Sequence, residues 1–194
     1  MNSLEQDLKK HKYWIFVQDL EMKSKELSLV AIFVSLSIAL RVLKNLATTV
    51  QFVNIPLAFA LLASTLYGPH VGFLVGFLSY FLSDLLIFPG IWTLINSILA
   101  GFTAFLYPHF IYDRKDKVVF FISTFLSIFL FDIFSSVVLY ILFGVRLQEA
   151  ILVSIVGLFL PVMGGYLIGV GPLTEFVTAF LVVALYEALK RRKI

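Results

Sequence analysis

The chain contains no cysteine, which excludes disulfides, thiolate metal centres and thiol nucleophiles and leaves the compartment to be argued from topology. Charge is scarce too: 14% of the 194 residues are charged against 60% hydrophobic, a balance too apolar for a soluble domain of this size. The sequence has no G-x-x-x-x-G-K-[ST] phosphate loop, no H-E-x-x-H and no G-x-S-x-G elbow, so it carries no motif for hydrolysing ATP and no recognisable enzyme signature. Its three histidines, His11, His70 and His109, are too scattered for a metal cage. No enzyme activity, metal or cofactor is expected, and no nucleic-acid partner.

What is present is a series of long uncharged runs. Lipid offers the backbone no hydrogen-bond partners, so such runs become helices that satisfy themselves. The expected fold class is all-α, a polytopic bundle of six transmembrane helices with both termini cytoplasmic. The spans read as Leu27 to Lys44, Gln51 to Tyr67, His70 to Phe88, Ile91 to Tyr112, Val118 to Phe143 and Thr174 to Leu189. YGPH separates the second from the third, and Pro89-Gly90 the third from the fourth, so neighbouring spans form antiparallel hairpins. Residues 1–26 read as a cytoplasmic segment and 27–190 as the transmembrane domain. The N-terminal segment is polar for too long, and lacks the cleavage site, to be a secretory signal. Its cluster Trp14, Ile15, Phe16, Val17 and Leu20 fits either a short helix on the membrane surface or a frayed polar tail.

The stretch Ala150 to Gly171 is long enough to cross the membrane but is interrupted by Pro161, Gly164, Gly165 and Gly169. Charge argues against a crossing. With six spans, twelve of the fifteen basic residues fall on one side, in the N-terminal segment, the loop DRKDK and the C-terminus, leaving Arg41, Lys44 and Arg146 opposite. That is the positive-inside pattern. The stretch is therefore expected to be a broken or re-entrant outer element before the last helix, and the protein a multi-pass protein of a cell membrane.

Polar residues inside spans are costly and normally face a bundle interior or cavity. Asp84 and Asp132 each sit 14 residues from the inner end of their spans, which places both about 21 Å up, in the outer half of the hydrocarbon. Asn54, Trp92 and Asn96 reach the same layer, Glu175 opens the last span, Tyr80 lies one turn below Asp84, and Ser136 one turn above Asp132. One reading is a ligand pocket open to the outside, with polar groups fixing a small molecule and aromatic rings walling it. A second is that these groups only hydrogen-bond neighbouring helices. A third is proton coupling through the aspartates, ranked last because no paired intramembrane base is visible. Small residues form a further pattern: Ala31, Ser35 and Ala39 recur on the first span, and Gly68, Gly72 and Gly76 open the third. The glycine row is expected to receive a neighbouring helix of the same chain, and the first-span row a partner protein.

The small-residue stripe in ELSLVAIFVSLSIALRVL, the hairpin IPLAFALLASTLYGPHVGFLVGFLSYFLSDLL and the segment WTLINSILAG resemble the substrate-binding S component of energy-coupling-factor (ECF) transporters, over roughly residues 27–190. The resemblance implies a non-enzymatic subunit of an ABC-type importer that captures a vitamin or related micronutrient from outside. Its partners would be a transmembrane T component and two ATPase subunits. It also implies docking of the T component on the first-span stripe, where Ser35 stands in the middle of the family's A-x-x-x-A, and ligand cover from Asn45 to Val53 and from the element around Tyr166. Riboflavin, thiamine, queuosine precursors and tryptophan-like compounds all stay open, with Asp84 and Asp132 leaning toward a cationic or hydrogen-bond-donating substrate. The alternative from another class is a self-sufficient ion-coupled secondary transporter or channel; no convincing repeat between the halves supports it.

Overall fold

The computed structural model describes residues 24–48, 50–111, 116–159 and 170–191. Among them are seven helices: α1 (Ser24–Ala47), α2 (Ile55–Tyr67), α3 (Pro69–Ile87), α4 (Ile91–Phe110), α5 (Lys117–Leu142), α6 (Leu147–Gly157) and α7 (Val170–Arg191). Helices α1, α3, α4, α5 and α7 are long and apolar enough to cross a membrane, and the chain is an all-α polytopic membrane bundle.

Helix α2 is the exception. It begins at Ile55 rather than Gln51, because the Asn54 side chain caps it, accepting from the Leu57 N–H at 3.2 Å, and Pro56 has no N–H to extend the ladder backwards. Its 13 residues span only about 20 Å. Residues Ile55 to Thr65 are buried without interruption, and α1, α3, α4 and α7 all pack on it. A helix apolar on every side belongs in the interior, and α2 is the centre of the core.

The glycine row brings helices together, as expected. A Cβ on Gly72 would lie 2.4 Å from Ser64 Cβ of α2, and one on Gly76 would lie 2.8 Å from the Ala100 carbonyl oxygen of α4. Gly68 turns the chain at φ +101°, in the left-handed region, and Pro69 then opens α3. Pro108 sits inside α4, where it cannot donate to the carbonyl four residues back. That carbonyl, of Ala104, instead accepts from the Ser64 hydroxyl at 2.5 Å.

Helices α5 and α7 run antiparallel. Lys117 at the start of α5 is 3.4 Å from Glu187 near the end of α7, and Phe120 meets Tyr186 edge-on at 5.1 Å. Helix α6, with 11 residues, is about 16 Å long, too short to cross, and packs on α5. The remainder of the expected broken element, 160–169, lies outside the described residues, as do the N-terminal cluster and Tyr166.

Candidate functional site

Both buried acids, Asp84 and Glu175, lie at the end of the bundle where α2 starts, with buried Ser83, Thr93 and Thr178 at the same end. Alternation of direction brings together the last turns of α1, the N-cap of α2, the last turns of α3 and the first turns of α4 and α7. The centre is an ion pair absent from the sequence expectations. Arg41 of α1 reaches Asp84 of α3, Nη2 to Oδ1 2.6 Å. The same guanidinium donates to the Ser83 hydroxyl and lies over the Tyr80 ring, 5.3 Å from its centroid. Asp84 is buried, with the Thr93 side chain of α4 within hydrogen-bonding reach.

Tyr80, also buried, donates its hydroxyl to Asn54 Oδ1 at 2.7 Å. Asn54 thus serves two purposes: its side chain caps α2 and anchors Tyr80. Its backbone N–H donates to the Thr178 hydroxyl of α7 at 2.9 Å, and Thr178 in turn donates to the Thr174 carbonyl at 2.6 Å. The Thr174 hydroxyl donates to the Gln51 carbonyl. One connected network therefore ties α1, α2, α3 and α7.

Tyr80 also joins the two aspartates. Its ring tilts against Phe131 of α5 at 5.7 Å, and Asp132 is among the charges acting on it. Asp132 and Asp84 have different partners, and one of the two acids behind the lean toward a cationic substrate carries its own counter-charge. Asp84 is neutralised by Arg41, whereas Asp132 faces the carboxyl of Glu175. Glu175 is fully buried, and among the described residues neither of its carboxyl oxygens has a hydrogen-bond donor. A second acid beside Asp132 also removes the ground on which proton coupling ranked last.

The other expected residues fall at different places. Asn96 lies one turn beyond Thr93 on α4, half-buried, with Oδ1 buried and unpartnered. Ser136 lies one turn beyond Asp132, half-buried. Trp92 stands apart: its ring stacks on Phe88 at 5.4 Å, covers Gly90, and donates from Nε1 to the Phe88 carbonyl at 3.1 Å. Ala31, Ser35 and Ala39 are all exposed on one side of α1, flanked by exposed Leu27, Ile32, Leu36 and Leu43.

A cavity of about 400 Å³ opens elsewhere, between α4 and α5, walled by Phe102, Leu106, Leu126, Leu130 and Phe134. It meets the polar cluster through Phe131.

The members of the polar cluster missed from the sequence are Arg41, Ser83, Thr93 and Thr178. For Arg41 a signal existed: Val30, Val34 and Ser37 are the buried residues of α1, and Arg41 continues their four-three-four spacing onto the same face.

The fold and the cluster define a polytopic helical membrane protein with an ion pair and buried acids near one end of its bundle. More narrowly, the sequence model of the ECF-type riboflavin transporter S component matches residues 21–190, most of the chain, and the protein belongs to that family. It is a family of transporter components and not of enzymes. No curated protein and no solved structure matches the chain.

Proposed function

We propose that this chain is the subunit that captures riboflavin, or a flavin of the same neutral hydrogen-bonding chemistry, from outside a prokaryotic cell. It would hand the vitamin inward as part of a complex with a transmembrane T component and two ATPase subunits. The polar end of the bundle would face outward and the basic termini the cytoplasm, with six crossings and residues 27–190 forming the binding domain. The observation that carries the reading is the cluster of Arg41, Asp84, Asn54, Tyr80 and Glu175 at one end, in a chain of the riboflavin S-component family.

The chemistry of the cluster fits that substrate better than a cation. The Arg41–Asp84 pair cancels one acid's charge, and riboflavin is neutral, with a flat ring system, an imide edge and a chain of hydroxyls. Unpartnered Asn96 Oδ1 offers an acceptor for an imide or hydroxyl proton, and Ser136 a second polar contact. Tyr80 and Phe131 offer ring faces, with Asn54, Asp84, Asp132 and Glu175 holding the walls and Trp92 the rim. Leaving a buried acceptor empty costs about 1–3 kcal/mol, a cost that a donor on the ligand relieves. The exposed stripe Ala31, Ser35 and Ala39 would receive the T component, since small residues permit close backbone approach.

Mass spectrometry of the purified, denatured protein tests the substrate. A co-purified flavin is expected. If none is found and thiamine or another vitamin binds while riboflavin does not, the flavin assignment fails. If no vitamin binds and reconstituted protein alone moves solute along an ion gradient, the importer reading fails with it.

A further inference from the structure

Charge accounting at the polar end leaves one contact unbalanced. Asp132 of α5 and Glu175 of α7 bring their carboxyl groups together. Glu175 is 0% exposed, with both oxygens lacking any donor. That orphaned side chain is a second observation, separate from the proximity of the two acids. Among the described residues, every basic residue at this end is committed elsewhere: Arg41 to Asp84 at 2.6 Å, Lys44 to Gln51 Oε1 at 2.9 Å, and Arg146 to Glu149 at 3.7 Å.

The surrounding helices supply no other counter-charge. Helices α4 and α6 pack on α5, and α2 on α7. The ionisable groups of α4 and α2 are Tyr107, His109 and Tyr67, all at the opposite ends of those helices. Helix α6 has only the exposed Arg146–Glu149 pair, and from α3 the Tyr80 phenol, bonded to Asn54, lies within electrostatic reach of Asp132. Residues 160–169, which precede α7, contain no lysine, arginine or histidine. Two carboxylates in contact inside a membrane repel one another, and desolvation adds several kcal/mol per uncompensated ion. One positive charge between them relieves both costs and gives the Glu175 oxygens the partner they lack.

We propose that Asp132 and Glu175 form a site for a single small cation, a proton or a sodium ion, held between α5 and α7. Both are hard cations that oxygen ligands accommodate. The site rests on packing and charge alone, not on the vitamin reading, and its test contains no flavin.

The test uses the full chain in lipid nanodiscs. Infrared spectroscopy reads the carbonyl band of a protonated carboxyl, and thermal unfolding is followed against pH and against sodium, with potassium holding ionic strength constant. For a proton, a protonated-carboxyl band that shifts on deuterium exchange is present at neutral pH without sodium and vanishes in Asp132→Asn/Glu175→Gln. A proton held by the folded pair and released on unfolding stabilises at low pH, so the melting temperature falls as pH rises. For sodium, the band is weak or absent and the melting temperature climbs with sodium concentration, a response lost in the double variant. The wild-type deuterium shift needs no variant, so poor folding of the mutant leaves that arm intact. The proposal is overturned if wild type shows neither the band nor a sodium response, or if both responses persist unchanged in the double variant.

Discussion

The Arg41 guanidinium and the Asp84 carboxylate, 2.6 Å apart, tie α1 to α3 across the end of the bundle where the other polar groups collect. The pair joins the helix whose outer face carries Ala31, Ser35 and Ala39 to the helix that carries Tyr80. Removing one partner strands the other charge in a buried place, which costs about 3–5 kcal/mol, whereas replacing both with apolar groups of similar volume is often neutral. Arg41→Met or Asp84→Leu alone is therefore expected to lower the unfolding midpoint strongly, and the double variant to regain most of the loss. Thermal unfolding of the four proteins in one double-mutant cycle measures this, and additive losses would deny the coupling.

Tyr80→Phe deletes the hydroxyl that donates to Asn54 Oδ1 but leaves Leu57 N–H on the same oxygen. The loss is that of one neutral hydrogen bond, about 0.5–1.5 kcal/mol. Stability should drop by that amount with the helix content unchanged in circular dichroism. Asn54→Leu should cost more, since it removes the cap of α2 and the tyrosine's partner together.

At Gly76 the limit is backbone, not side chain: the Ala100 carbonyl carbon and oxygen stand within 3 Å of where a Cβ would go. Gly76→Ala must push α3 away from α4, at a cost of about 1–3 kcal/mol. The melting temperature should fall, and more so for Gly76→Val. Leu85→Ala, on the exposed side of α3, is the matched control and should be near neutral.

Ala39→Leu and Ser35→Leu add bulk to an exposed face of α1 without touching the Arg41 network. Assembly with a T component, read by co-purification, should weaken severalfold while flavin affinity stays at the wild-type value. Loss of flavin binding with normal assembly would move the docking face elsewhere.

Much of this was legible in the sequence because it depends on local chemistry. Gly68-Pro69 and Pro89-Gly90 set the hairpins, apolar runs set the spans, and the glycine row announced close helix packing. What stayed hidden depends on which way a helix faces. Arg41 near the end of α1 reads as an outer-side charge until the stripe through Val30, Val34 and Ser37 is turned inward. Asn54 reads from the sequence as a pocket residue, and only the Leu57 and Tyr80 distances show the cap and the anchor. Asp132 and Glu175 are separated by a whole intervening element, so no spacing rule pairs them. Nothing in the sequence says where the Ala104 carbonyl freed by Pro108 finds a donor, because Ser64 reaches it only through the packing of α2 on α4.

The most direct measurement is a riboflavin titration of the purified chain, following the vitamin's own fluorescence, in wild type, Asn96→Leu and Thr103→Leu. Asn96 holds an unpartnered acceptor at the polar end, whereas Thr103 lines the apolar cavity between α4 and α5. Saturable quenching by wild type, weakened about tenfold by Asn96→Leu and unchanged by Thr103→Leu, is the predicted result. No quenching by wild type, or binding that Thr103→Leu abolishes and Asn96→Leu spares, would contradict capture of a flavin at the polar end.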